Sequence, residues 1–256
     1  MTLFRNVVFV AALAGLLSGI LMTAMQSYAT VPLILKAETF ENAGGHDHGA
    51  PAEAAPAEAV APDAHSHDAA TPAHEHDEEG WAPADGFERF AYTALANIVT
   101  GIGFALILVA VSELAGGIAN WRQGIFWGFA GFAVFTLAPG LGLPPELPAM
   151  PAADLATRQL WWIGTVAATA AGLGLIAFRG SLLFSLIGLG LIVVPHLIGA
   201  PQPDSHESPI PVDLHHQFVV AVTVTSLIFW VVLGAAAGIA RSRISGTATS
   251  LRDSLA

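Results

Sequence analysis

Six stretches of the chain, residues 4–25, 90–111, 124–143, 160–178, 182–198 and 218–240, are apolar and carry no charge near their centres. A bilayer's hydrocarbon core of about 30 Å is crossed by roughly 17–25 helical residues, and each stretch falls in that range. Lipid offers no hydrogen bonds to a bare backbone, so each such run has to be a helix. The sequence therefore predicts an all-α membrane protein, a bundle of six transmembrane helices. Composition agrees: 54% of residues are hydrophobic and 11% charged, against about 25% charged in soluble domains. A net charge of −11 has the wrong sign for phosphate backbones, which excludes nucleic acid as a partner. The absence of cysteine excludes disulfides, thiolate metal sites and cysteine nucleophiles.

The first run has two readings. Arg5, the apolar stretch after it and Ser27-Tyr28-Ala29 resemble the three regions of a secretory signal peptide. The apolar run exceeds the usual signal core of about 7–15 residues, so a retained helix is favoured; cleavage would leave five helices. Orientation follows from Lys and Arg near the helix ends. With the N-terminus inside, Arg5, Arg122, Arg179, Arg241, Arg243 and Arg252 lie on the inner side and Lys36, Arg89 and Arg158 on the outer. Both termini are thus expected in the cytoplasm, the protein being multi-pass in the cytoplasmic membrane. Small residues at four-residue spacing, Ala11-Gly15-Gly19, Gly124-Gly128, Gly164-Ala168-Gly172 and Gly234-Gly238, let helices approach closely in lipid.

The expected organisation is a first helix within 1–36, a loop over 37–84, a helical bundle over 85–240 and a cytoplasmic tail over 241–256. The loop holds 11 acidic residues and no Lys or Arg, a composition that predicts disorder. It carries three His-x-His pairs: His46 with His48, His65 with His67, and His74 with His76. In an extended backbone residues i and i+2 point to the same side, so each pair can grip one ion, with Asp47, Asp68, Asp77, Glu78 and Glu79 completing the shell. Imidazole suits divalent cobalt, nickel, copper and zinc. A solvated acidic tether and a pH sensor are the alternatives; three pairs within 31 residues favour metal capture. On the expected topology the loop lies outside and gathers ions weakly and exchangeably. No permanently bound cofactor is expected; Co2+, Ni2+, Zn2+ or Cu2+ would be a transient substrate.

Four histidines lie elsewhere. His196 follows Pro195 near the outer end of the fifth run, where proline frees a carbonyl and kinks a helix, a setting found at transporter sites. His206, His215 and His216, beside Asp204, Glu207 and Asp213, form a candidate second ligand cluster on the same side. In the proline-rich segment 143–151 and just after it, Glu146, Met150 and Asp154 are vestibule candidates, with Asp154 and Arg158 spaced to pair along a helix. Within the apolar runs only Asn97 is a candidate for lining a path, because Thr side chains in helices bond their own backbone. No Gly-Lys dipeptide occurs, which excludes a P-loop, and no His-Glu-x-x-His, which excludes a zinc protease of that type.

Three segments together carry a family resemblance. They are Trp81-Ala82-Pro83-Ala84-Asp85-Gly86, then Leu137-Ala138-Pro139-Gly140-Leu141-Gly142-Leu143-Pro144-Pro145-Glu146-Leu147-Pro148 with Gln159-Leu160-Trp161-Trp162, and Pro195-His196-Leu197-Ile198-Gly199-Ala200-Pro201. The chain resembles the CbtA family of predicted cobalt transporters. The resemblance implies five or six helices, a link to cobalt supply for cobalamin synthesis, and a small single-helix, His-containing partner protein. Divalent-metal import is the first expectation, cobalt coming from the resemblance alone. A membrane metal sensor or chaperone handing ions to a partner is the second. An enzyme is not expected, since a His-box oxidase needs histidines converging from several helices.

Overall fold

The computed structural model describes residues 2–44 and 83–254; the three His-x-His pairs lie outside these residues. The described residues form helices α1 (Thr2–Ala29), α2 (Val31–Gly44), α3 (Phe87–Leu114), α4 (Trp121–Phe132), α5 (Ala138–Gly142), α6 (Leu155–Arg179), α7 (Leu182–Ile198) and α8 (Val212–Ser254), with a π-helical turn, Ala133–Leu137, joining α4 to α5. Five spans are long and apolar enough to cross a membrane: Phe4–Ala29, Phe87–Leu114, Trp121–Gly142, Leu155–Arg179 and Val212–Ile244. The sixth expected run is α7, whose 17 residues extend about 25 Å.

Glycine sets how these helices pack. A Cβ on Gly19 would lie 2.6 Å from the Ile98 Cα, and one on Gly15 would strike the backbone of Ile102, so α1 lies directly on α3. Gly124 and Gly128 of α4 meet Gly234 and Trp230 of α8 in the same backbone-to-backbone way. Gly172 of α6 and Gly188 of α7 face each other, a Cβ on either coming within 2.6 Å of the other's carbonyl oxygen. Without a hydrophobic drive between helices in lipid, such close van der Waals contact carries association. The four-residue spacing foresaw most of these contacts but not all. A Cβ on Gly164 meets nothing within 4 Å, so Gly164 makes no close contact on that face, whereas Gly172 does.

Helix α1 is built into this bundle. Val10, Ala11, Ala14 and Ser18 are fully buried, the first three in one cluster with Ala105 and Val109 of α3 and Leu233 and Ala237 of α8. The π-helical turn has a local cause. Pro139 has no N–H and its ring crowds the carbonyl four residues back; just before it, the Ala138 N–H bonds the Ala133 carbonyl five residues back. The widened turn places Thr136 where its Oγ1 accepts from Trp230 Nε1 at 3.2 Å, and Phe135 stacks on Trp230 at 5.6 Å.

The contacts sort the helix ends into two groups. At one end Arg241 of α8 reaches Glu113 of α3 and the carbonyl of Ile118, beside a small cavity lined by Asn6 and Val7 of α1. At the other end, the 143–154 connection meets α6 through Glu146 and Arg158 and α8 through Pro145 and His215. Helix α7 turns back at Gly180, whose φ of 56° suits glycine. It returns far enough for Trp161 near the start of α6 to bond the Pro195 carbonyl.

Three sequence expectations change. The loop expected from residue 37 begins with helix, because α2 continues to Gly44. Ala37 is fully buried against Leu147, Ile210 and Leu214, and Glu38 makes a two-pronged ion pair with Arg89 at 2.7 and 3.3 Å. The tail expected from 241 is likewise a continuation of α8 to Ser254. Finally, α7 is not broken at Pro195 but runs on to Ile198; a proline this near the C-terminus interrupts only one bond of the last turn.

Candidate functional site

The described candidate residues, except Asn97, gather at the end of the bundle organised by the 143–154 connection. That connection is itself tightly made. The Met150 N–H bonds the Leu147 carbonyl at 3.2 Å, Pro148 occupies the second turn position, and Ala149 takes the left-handed φ of 64°, which costs a non-glycine residue about 1–2 kcal/mol. Burial of Leu147 among α2 and α8 side chains holds the strained turn in place.

His215 is half-buried on the first turns of α8, its Nε2 3.1 Å from the Pro145 carbonyl oxygen. A carbonyl only accepts, so this bond puts the proton on Nε2 and leaves the Nδ1 lone pair free. A histidine that donates one ring N–H to a backbone carbonyl while offering the other nitrogen is the arrangement metal-ligating histidines adopt. His216, the next residue on the helix, is exposed, as are His206, Asp204, Glu207 and Asp213.

His196 lies edge-on to the Trp161 ring, centroids 5.9 Å apart. Trp161 is fixed in turn by its Nε1 bond to the Pro195 carbonyl at 3.2 Å and by close packing on Gly142, where a Cβ would collide with the indole. The ends of α5, α6 and α7 thus meet at one tryptophan, with a histidine on its edge.

The acidic candidates are engaged. Glu146 pairs with Arg158 at 2.8 Å, both side chains about three-quarters buried. Asp154 caps α6, accepting from the Thr157 N–H at 3.0 Å. The expected Asp154–Arg158 pair is therefore replaced by one across the connection, which folds Glu146 back over the first turn of α6. Met150 Sδ accepts from the Leu147 N–H at 3.4 Å. Among the described residues no three His, Asp or Glu side chains converge as a ready metal shell.

Asn97 serves a different purpose. Its Nδ2 donates to Gln26 Oε1 at 2.7 Å and Thr23 Oγ1 at 3.1 Å, clasping α3 to α1. Other buried hydroxyls, those of Ser18, Thr23, Ser112, Thr165 and Thr225, bond carbonyls three or four residues back. The exception is Thr169, whose buried Oγ1 has no partner among the described residues.

Sequence reasoning missed Gln26 and the Glu113–Arg241 pair. Gln26 lay one residue past the apolar run as drawn. The pair had a usable signal, opposite charges at the ends of two runs expected on the same side. Arg241 Nη2 lies 2.8 and 2.9 Å from the two Glu113 oxygens, and its Nη1 donates to the Ile118 carbonyl at 2.7 Å. Gly117, at φ 79°, lies so near the guanidinium that a Cβ would overlap it.

An all-helical bundle with five helices long and apolar enough to cross a membrane, bound together by glycine contacts and buried polar clasps, defines a multi-pass membrane protein. The chain belongs to the CbtA family, described as a probable cobalt transporter subunit, which matches residues 4–242. No match was found among curated proteins or among solved structures.

Proposed function

We propose that this protein imports divalent metal, cobalt above all, across the cytoplasmic membrane, with both termini inside and six helices crossing. The His-rich segment at 46–76 captures ions outside, and His215 and His196 receive them at the outer end of the bundle. The observation that carries this reading is family membership over residues 4–242. His215 supports it, since its Nε2–H is held by the Pro145 carbonyl and Nδ1 is left to bind. His196, His206, His216, Glu146, Met150 and Asp154 stand around the same end as candidates to complete a shell if the connection rearranges. Cobalt is cargo here, and the proposal extends to cobalamin supply and to a small single-helix partner, both drawn from the resemblance. The protein is not an enzyme on this reading.

One observation favours a second reading. The buried hydroxyls mostly bond their own helices and no three ligands converge among the described residues, so no hydrophilic path crosses the described bundle as it stands. A sensor or chaperone that captures metal and hands it to a partner would need no such path. Cobalt uptake in cells lacking their own importers separates the two. On the import reading the intact chain raises uptake. Deleting 43–79 raises the cobalt concentration needed for half-maximal uptake without abolishing it, and His215→Ala or His196→Ala lowers uptake at saturating cobalt. Metal-dependent crosslinking to a partner without any uptake would instead select the second reading.

A further inference from the structure

At the Arg241 end of the bundle, a half-open cavity of about 540 Å³ lies between α3, α4 and α6. Its wall is almost wholly carbon: Val111, Phe126, Ala130, Leu173 and Gly174 are typical, and Gln123 is the one lining side chain with an amide. The floor is the aromatic group of Phe104, Phe135 and Trp230. Along α6 the lining runs from Val166 to Phe178, thirteen residues whose twelve rises span about 18 Å. That is close to one leaflet, about half of a 30 Å hydrocarbon core.

Two arginines adjoin the lining residues in sequence. Arg122 directly precedes Gln123, and Arg179 directly follows Phe178. Trp127 and Phe178, both lining residues, hold the two helices together there with centroids 6.5 Å apart. Both arginines are exposed. Among the described residues neither pairs with a carboxylate; Arg122 lies over the Trp121 ring at 5.5 Å and Arg179 over Phe184 at 5.6 Å. Two guanidiniums parked on aromatic faces remain free to take a bidentate phosphate.

We infer that this cavity is a binding site for an anionic phospholipid of the leaflet at the Arg122 end. One acyl chain fills the apolar slot, and Arg122 and Arg179 hold the phosphate. The lining argues against water, which needs two to four polar partners. Paired basic residues beside an apolar cleft between helices suit an anionic headgroup.

The test uses the full-length protein extracted from membranes and exchanged into mixtures of phosphatidylglycerol and phosphatidylcholine, with retained lipid read by native mass spectrometry. The intact chain is expected to retain phosphatidylglycerol over phosphatidylcholine on the order of tenfold. Arg122→Gln with Arg179→Gln brings that ratio near one. Gly174→Leu fills the slot; a Cβ there meets nothing within 4 Å, so the variant folds, and it loses both lipids while its lipid-free melting temperature stays at or above that of the intact chain. Equal retention of the two lipids by the intact chain would overturn the proposal, as would undiminished retention by Gly174→Leu. So would a photoreactive group at Ala130 that crosslinks to a polypeptide instead of lipid.

Discussion

Asn97 and Thr169 show that the same environment gives two polar residues opposite roles. Asn97 satisfies both Gln26 and Thr23 across the α1–α3 contact, and interhelical hydrogen bonds in membranes contribute about 0.6–1.7 kcal/mol each. Asn97→Leu is therefore expected to lower the melting temperature in detergent and to loosen α1 from α3, seen as faster hydrogen exchange in both. Thr169 leaves a buried hydroxyl unbonded among the described residues, so replacing it with the isosteric Val removes a desolvation penalty of about 1–3 kcal/mol. Thr169→Val should melt at or above the intact protein's temperature. A folded Thr169→Val protein that loses cobalt uptake would mark that hydroxyl as part of the ion's route. At this scale the sequence was only half legible. Asn97 stood out as an amide well inside an apolar run, and Asp154 before a helical pattern could have been read as a cap. The partner of Arg158 could not, because a proline-rich connection that folds back brings Glu146 nearer than the carboxylate one turn away.

Element boundaries follow from tertiary partners more than from hydropathy. Helix α2 extends into an acidic segment because Glu38 finds Arg89 and Ala37 finds a buried slot, neither visible in local composition. The glycine spacings were legible since they record backbone contact directly, and Gly164 shows that spacing alone overcounts. A Cβ at Gly124 would strike the Gly234 carbonyl, and no rotamer relieves a backbone collision. Gly124→Leu should cost more than the about 1–3 kcal/mol usual for overpacking, whereas Gly164→Leu should be tolerated; thermal melting of the two side by side checks this. Loss of the Glu113–Arg241 pair through Glu113→Gln should leave a partly buried guanidinium one carboxylate short and cost about 1–3 kcal/mol. Limited proteolysis in the 115–120 turn would register it as faster cleavage.

For the whole molecule, membrane character, the helical runs and the family were readable from the chain, because apolar length and proline-histidine motifs are local signals. How the ends group was not, since it rests on contacts between residues as far apart as Pro145 and His215. Phe104, Phe135 and Trp230 pack together in mid-bundle, above an end stapled by Glu113 and Arg241. On the proposed import reading, these two contacts would have to open in turn with the His215 end. Flux of radiolabelled cobalt into proteoliposomes holding the purified full-length chain, with and without a small single-helix, His-containing protein of the kind proposed as its partner, tests the central claim most directly. The account predicts accumulation above protein-free vesicles that falls in His215→Ala and persists, with weaker apparent affinity, when 43–79 are deleted. Cobalt binding by a folded chain with no flux in either preparation would contradict it.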